Sequence, residues 1–329
     1  MKGFVVMKKK LNLKITFLGL AVILGTPTFT RCTNIIDGKK NNKPFVRILD
    51  NTDSQPDYDS MVEDSTFMHT ANFVLQGVCS VDDYTLITAY DGNDKENSIV
   101  YILNNDREIV STVTLYNRAH VGGIAYDDVH DIIWITDYVG TISGYDKDDI
   151  LNETYAVPKF QKVFVGNNML NFWGKQSIAY ITYHNNKIYL GNYAFKELSI
   201  LRSYDILDDG MIDLDSEITQ PFGNFTQGIS FADINDQCFL LDSSSFGKTK
   251  SCLRITPFGE ESNTVLSNDF IELDTPPRIE QINYTDDGDL DVVYEVNAEL
   301  YNKDQIFVNP DYETLDFTVM LDYSCKSFK

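Results

Sequence analysis

A polar side chain with hydrogen-bonding capacity recurs at intervals of about fifty residues. Gln76, Gln176 and Gln227 each stand directly before a small residue and an apolar one, as Gln-Gly-Val, Gln-Ser-Ile and Gln-Gly-Ile. The fourth and fifth places read His120-Val121-Gly122-Gly123-Ile124 and Glu280-Gln281-Ile282. Amides donate and accept, a neutral imidazole does both through two nitrogens, and a carboxyl accepts or donates according to its charge. Such a set can hold a hydroxyl-rich ligand. A carboxylate pair among them can also move protons, and Glu280, Glu295 and Asp127 are the residues placed to do so. Trp134 and Trp173 offer faces on which a sugar could stack, although Trp134 sits where blade packing needs bulk. None of this works unless the fold gathers residues so far apart in the chain.

The apolar residues that end these motifs, Val78, Ile124, Ile178, Ile229 and Ile282, lie 46, 54, 51 and 53 residues apart. A second β-rich run follows each motif, at 84–90, 132–136, 187–190, 237–241 and 290–294. A third follows at 99–103, 141–145, 198–204, 252–256 and 298–306, and weaker fourth runs lie at 109–115, 162–165 and 270–273. Val, Ile, Thr, Tyr and Phe dominate, Gly, Asn and Asp mark the breaks, and helical periodicity is nearly absent. About four strands in each of five units near fifty residues predict an all-β fold, a single five-bladed β-propeller over residues 61–329. One blade alone leaves its faces and edges open, and stacking in a ring buries them. The segments 316–321 and 45–49 are the expected closing strands, and a sixth unit would require residues 33–75. A propeller channel then collects Gln76, His120, Gln176, Gln227, Glu280 and Gln281 as its ligand-facing set.

Three stretches resemble a group of uncharacterised secreted bacterial β-propeller proteins over roughly residues 70–306. They are His120-Val121-Gly122-Gly123-Ile124-Ala125-Tyr126-Asp127, Gln227-Gly228-Ile229 with Asp242-Ser243-Ser244-Ser245-Phe246-Gly247-Lys248, and Pro276-Pro277-Arg278-Ile279-Glu280-Gln281-Ile282 with Val293-Tyr294-Glu295. The group carries Arg where Lys248 stands and Gly where Gln281 stands. The resemblance implies the fold and carries over no residue's role.

Lys2, Lys8, Lys9, Lys10 and Lys14 precede the apolar run 15–24, which Gly25-Thr26-Pro27-Thr28 ends. This pattern predicts a signal peptide over 1–31 followed by a polar tether over 32–60, hence an extracytoplasmic protein, secreted or cell-surface anchored. Cys32 is the candidate lipidation site, although Arg31 occupies a position that favours a small residue. The apolar run is short for a membrane span of about 20 residues, so contact with membrane is expected only through an N-terminal anchor.

The chain has 27 basic and 49 acidic residues, a net charge of −22. Cleavage after Arg31 would leave 21 basic residues against 49 acidic. Such a surface repels phosphates and excludes an extended nucleic-acid interface. Of the five cysteines, none forms a Cys-x-x-Cys pair. Cys238 and Cys252 lie symmetrically about Ser245, which predicts a cross-strand disulfide or two small buried side chains. Cys79 and Cys325, in the first and last units, could meet at the ring closure. The four histidines match no zinc-ligand spacing, and His184 is read as a solvated turn residue. No nucleophile elbow or phosphate loop occurs. The Ser243-Ser244-Ser245 run reads as a turn. No metal or cofactor is assigned. Calcium is the one cation the composition suggests, at Asp91-Gly92-Asn93-Asp94 and Asp286-Asp287-Gly288-Asp289, but both lack the ordered spacing of an EF-hand and Asp-Gly also makes hairpin turns.

Three functions remain open from the sequence. One is a propeller binding a glycan, another small polar ligand or an extracellular protein, without catalysis. The alternative is a carbohydrate-active hydrolase or lyase using channel carboxylates. The third is a platform that binds partners through its rim loops.

Overall fold

The computed structural model describes residues 46–47, 55–68, 70–138, 140–163, 178–194, 199–247, 251–266, 269–296 and 310–328, all within one compact unit, Cys32–Lys329. It is an all-β ring of five antiparallel sheets, a five-bladed propeller. Blade I contains Phe73–Val81, Tyr84–Asp91, Ile99–Leu103 and Ile109–Leu115. Blade II contains Ile124–Asp127, Ile132–Thr136, Thr141–Asp146 and Phe160–Val163. Blade III contains Tyr180–His184, Lys187–Gly191, Ser199–Asp205 and Ile218–Phe222. Blade IV contains Thr226–Ile234, Gln237–Ser244, Ser251–Gly259 and Asp269–Thr275. Blade V contains Ile279–Tyr284, Asp289–Tyr294 and Tyr312–Asp316, and its outer strand is Val62–Thr66. The first strand of each blade contacts the first strands of both neighbours, which closes the ring.

The core lies between blades because each strand face that leaves its own sheet meets the next sheet. Val100, Ile102 and Val113 of blade I pack on Ile133, Ile135 and Tyr145 of blade II. Leu253, Ile255 and Ile271 of blade IV pack on Leu290, Val292 and Leu315 of blade V. Trp134 is buried, with Gly144 against its indole and Phe160 stacked 6.3 Å away, so it packs the blade rather than offering a ligand face.

The recurring motif has a structural cause. In blades I, IV and V the inner strand carries one extra residue at the motif, between Leu75 and Val78, Thr226 and Gly228, and Ile279 and Ile282. Such a bulge bends the strand and lifts one residue out of the ladder. The small residue beside it lets the next blade approach. A Cβ on Gly228 would lie 2.5 Å from the Gln281 Cα, and one on Gly123 would lie 2.9 Å from the Ile181 nitrogen. Hydroxyls on the second strand then tie blade to blade. Thr88 Oγ1 accepts from Gly77 N at 2.8 Å and donates to the Val121 carbonyl at 2.8 Å. Ser243 donates to the Glu280 carbonyl in the same manner. Ser243 is therefore a buried strand residue, not a turn residue or an exposed nucleophile.

The closing strands differ from expectation. Val62–Thr66 pairs antiparallel with Tyr312–Asp316, whereas Val46–Arg47 lies parallel on the outer strand of blade IV. The closing segment reads Val-Glu-Asp-Ser-Thr and has exposed Glu63, Asp64 and Ser65. An edge strand needs backbone partners more than apolar alternation, so its sequence carries no apolar signal of a closing strand. The Tyr58 hydroxyl donates to Glu313 Oε2 at 2.5 Å and fastens the entering chain to blade V. Residues 318–321 belong to helix Thr318–Ser327, not to a strand. Met320, Leu321, Ser324 and Cys325 are buried in it, spaced i, i+4, and Asp316, one residue before the Phe317 N-cap, accepts from Thr318 N at 3.2 Å. The third strand of blade V is Tyr312–Asp316; the expected run at 298–306 lies outside the described residues. Among the described residues no helix is long and apolar enough to cross a membrane.

The cross-strand disulfide is not formed, and no disulfide links the four described cysteines, Cys79, Cys238, Cys252 and Cys325. Cys252 stands opposite Ser244, and Cys238 stands opposite Phe258. The strands end at Ser244 and resume at Ser251, so the hairpin is centred three residues later than the spacing suggested. Six positions of strand, about 20 Å, separate the two thiols along the pair. Cys79 packs between blades I and II, and Cys325 packs with blades IV and V, so they do not meet.

Candidate functional site

The antiparallel blades bring two sets of chain positions to one end of the channel: the starts of the inner strands and the ends of the second strands. Gln76, Gln227 and Glu280 lie on the bulges at those starts. Tyr90, Tyr193 and Glu295 lie at or just beyond the ends of second strands. The bulge matters because it turns these side chains out of the ladder toward the axis.

Gln227 Nε2 donates to Glu280 Oε1 at 2.9 Å. Gln76 Nε2 donates to Glu295 Oε1 at 3.4 Å and to the Leu75 carbonyl at 2.7 Å. The Tyr90 hydroxyl donates to the same Glu295 oxygen at 3.3 Å. The Tyr90 ring meets His120 with centroids 4.4 Å apart, tilted by 44°. Arg278, in a left-handed conformation at φ 68°, donates from Nη1 to the Glu295 carbonyl at 3.2 Å. Residues from blades I, IV and V, and His120 from the approach to blade II, thus share one polar surface.

Glu280 is 4% exposed. Burial, reinforced by the negative charge of Glu295, pushes its pKa well above the usual carboxyl range, against the pull of Gln227 and Arg278. Burial, with the same two carboxylates behind it, also raises the Tyr193 phenol. His120 keeps accessible surface although protein packs densely around it, and that enclosure lowers its pKa to about 4. Its imidazole is neutral at physiological pH, able to donate from one nitrogen and accept at the other.

The arrangement can therefore offer a buried carboxyl with a raised pKa, a second carboxyl, the Gln227 amide, a neutral imidazole and an aromatic face, while Gln76, 1% exposed, spends its Nε2 on the Leu75 carbonyl and Glu295. Sequence spacing placed Gln76, His120, Gln227 and Glu280 here, and the fold unites them. It also named Glu295 beside Glu280. Tyr90, Tyr193 and Arg278 were missed because they lie on second strands or before the motif, outside the repeat that carried the reading. Gln176, Trp173 and Cys32 lie outside the described residues.

Gln281 does something else. Its Oε1 accepts from Ile124 N at 2.8 Å, and its Nε2 donates to the carbonyls of Ile124 at 2.7 Å and Ile181 at 3.2 Å. At 2% exposure it plugs the axis and links blade V to blades II and III, with its hydrogen-bonding capacity spent on backbone. Asp127 lies at the other end of its strand, where it holds His130 Nδ1 at 2.9 Å, so it cannot join Glu280 and Glu295. Asp91 accepts from the amides of Asn93, Lys95 and Glu96 at 3.0, 2.8 and 2.9 Å, as a loop-capping carboxylate does. The 286–289 stretch closes a hairpin in which Thr285 N donates to the Asp289 carbonyl at 2.9 Å, with Gly288 at φ +95°.

No family model matches the sequence, and neither does any curated protein. Among solved structures, the chain is similar to one described as the Dos1 propeller, at 10% identity and TM-score 0.38, over 66% of this chain and 52% of that one. It therefore spans about half the length of that protein. A second similarity is to the structure of U3-55K, at 7% identity and TM-score 0.43, over 79% of this chain and 99% of that one. Neither likeness reaches beyond the general fold.

Proposed function

We propose that this chain is a binding propeller that takes a hydroxyl-rich ligand, a glycan or similar small polar molecule, at the channel end lined by Glu280, Glu295, Gln227 and His120. The observation that carries the reading is the buried Glu280 carboxyl, held by Gln227 beside a second carboxylate. A carboxyl whose pKa is raised can donate while its neighbour accepts, and the Gln227 amide completes either role, which suits ligand hydroxyls. The Tyr90–His120 pair supplies a ring face for the apolar side of a sugar.

The Lys-rich start and short apolar run 15–24 support export. On this reading the propeller works outside the cytoplasm, secreted or tethered through Cys32. The acidic surface supports partners that are not nucleic acids.

One observation favours a second reading. Two neighbouring carboxyls, one with its pKa raised by burial, are the arrangement of an acid–base pair, so Glu280 as proton donor and Glu295 as base or nucleophile would cleave glycosidic bonds. Calorimetric titration of a glycan panel, run beside chromogenic glycosides, separates the readings. Binding without turnover, weakened in Gln227→Ala and Glu280→Ala by about 5- to 150-fold for the lost 1–3 kcal/mol, supports the binding propeller. Turnover lost in Glu280→Gln with binding retained supports the hydrolase. Equal affinity in the wild type and both alanine variants moves recognition to the rim loops and overturns both.

A further inference from the structure

At the opposite end of blades III and IV, four side chains of metal-binding chemistry converge. His184 ends the inner strand of blade III, Asp233 nears the end of the inner strand of blade IV, Cys238 begins its second strand, and Glu260 follows its third. Six residues of strand between Gln227 and Asp233 put this cluster about 20 Å from the channel site.

His184 Nε2 lies 3.7 Å from Cys238 Sγ, 3.3 Å from Glu260 Oε1 and 3.8 Å from Asp233 Oδ2. The four ligand atoms all lie within 4.8 Å of one another. A tetrahedral zinc ion, with bonds of about 2.0–2.1 Å to N, 2.3 Å to S and 2.0–2.2 Å to O, sets its ligand atoms about 3.3–3.6 Å apart. The observed spacings are those of a cage slightly open around its centre.

Asn185 Nδ2 donates to Glu260 Oε1, which satisfies one oxygen of the cluster and leaves the convergence on His184 Nε2 in place. An imidazole nitrogen has one in-plane bond to give, yet Nε2 faces the thiol, two carboxylates and, at 3.1 Å, Asn185 Nδ2. The ion pairs of Asp233 and Glu260 involve His184 and no Lys or Arg among the described residues. Two carboxylates and a thiol thus converge on one imidazole nitrogen, with the Asn185 amide on Glu260 Oε1 at the rim. A divalent cation at the centre would take the Nε2 lone pair and balance the anions together. The His184 side chain is 13% exposed, and its ring is stacked on Phe231 at 4.4 Å and 15°, which fixes the direction of Nε2. Cys238 is buried at 6%.

We propose that His184, Asp233, Cys238 and Glu260 form a closed zinc-type site that staples blade III to blade IV. The one-sulfur, one-nitrogen, two-oxygen donor set favours zinc over calcium or magnesium, which take oxygen ligands in larger numbers. Four protein ligands leave no open position, so the role is structural.

Cobalt(II) added to the metal-stripped full chain tests this. The expected result is one equivalent bound, with intense tetrahedral ligand-field bands and a sulfur-to-cobalt charge-transfer band, both erased by zinc. Cys238→Ser should remove the charge-transfer band. Cys238→Ser and His184→Gln should each weaken zinc by more than the about 10–100-fold typical of losing an outer partner. Glu260→Gln, on an exposed turn, keeps the core intact and decides the matter if the other variants do not fold; at least a tenfold loss is expected. Absent bands, a charge-transfer band that survives Cys238→Ser, or zinc affinity unchanged in Glu260→Gln would overturn the site. Chelation should leave glycan titrations at the channel unaltered, so this test and that of the channel fail independently.

Discussion

Replacing Gln281 separates a plug from a ligand-binding residue. Its amide satisfies the Ile124 N–H and adds donors to two carbonyls, all buried on the axis. A buried N–H left without a partner costs about 1–3 kcal/mol, and under-satisfied carbonyls, which keep a second lone pair, cost less. The sum is about 3 kcal/mol. For a domain of this size each kcal/mol moves Tm by about 2–4 °C, so a fall of about 6–12 °C is expected. Gln281→Met is the sharper variant. It keeps the volume and excludes water, whereas Gln281→Ala opens a void that water can enter and bridge. Thermal and urea denaturation followed by circular dichroism should show the loss in both, larger in Met. A Met variant melting within about 1 °C of wild type would refute the plug.

The close approach of blades IV and V predicts that Gly228→Ala, whose Cβ would meet the Gln281 Cα at 2.5 Å, destabilises by at least the 1–3 kcal/mol of ordinary overpacking; an unchanged urea midpoint would contradict that packing. Removing residues 1–66 takes away the outer strand of blade V and should abolish the cooperative melt, while removing 1–54 spares that strand and should leave it; equal melts would locate ring closure elsewhere. The Glu280 pKa is raised in the folded state, so between the unfolded value of 4.5 and the folded one the unfolded chain sheds a proton that the native state keeps, and stability falls as pH rises. Glu280→Gln removes this cost and should match wild type near pH 4 but exceed it increasingly toward pH 8, by at most about 1.4 kcal/mol per pH unit; parallel stability curves would show that Glu280 is not so perturbed.

The repeat spacing of Val78, Ile124, Ile178, Ile229 and Ile282 was enough to read five blades, because each blade must supply its own β-period and its own turns within a local stretch of chain. The same locality made Gln76, Gln227 and Glu280 legible, because residues at equivalent places in equivalent units come to equivalent places around an axis, and His120 precedes the same motif in its own unit. Where partners are set by register, the reading failed. Cys238 and Cys252 missed each other because the hairpin turns three residues later than their midpoint, which neither residue encodes. Val62–Thr66, inside the predicted propeller span, is not legible as a closing strand because an edge strand is stabilised by the backbone groups of Tyr312–Asp316, and those lie nearly 250 residues away. Gln281 and Glu280 are adjacent in sequence and alike in polarity. Only the bulge that turns one to the axis, against the carbonyls of blades II and III, and the other to the channel beside Glu295 decides which is a plug and which a candidate ligand. His184, Asp233, Cys238 and Glu260 carry no motif spacing, since the ends of neighbouring blades, not the chain, bring them together.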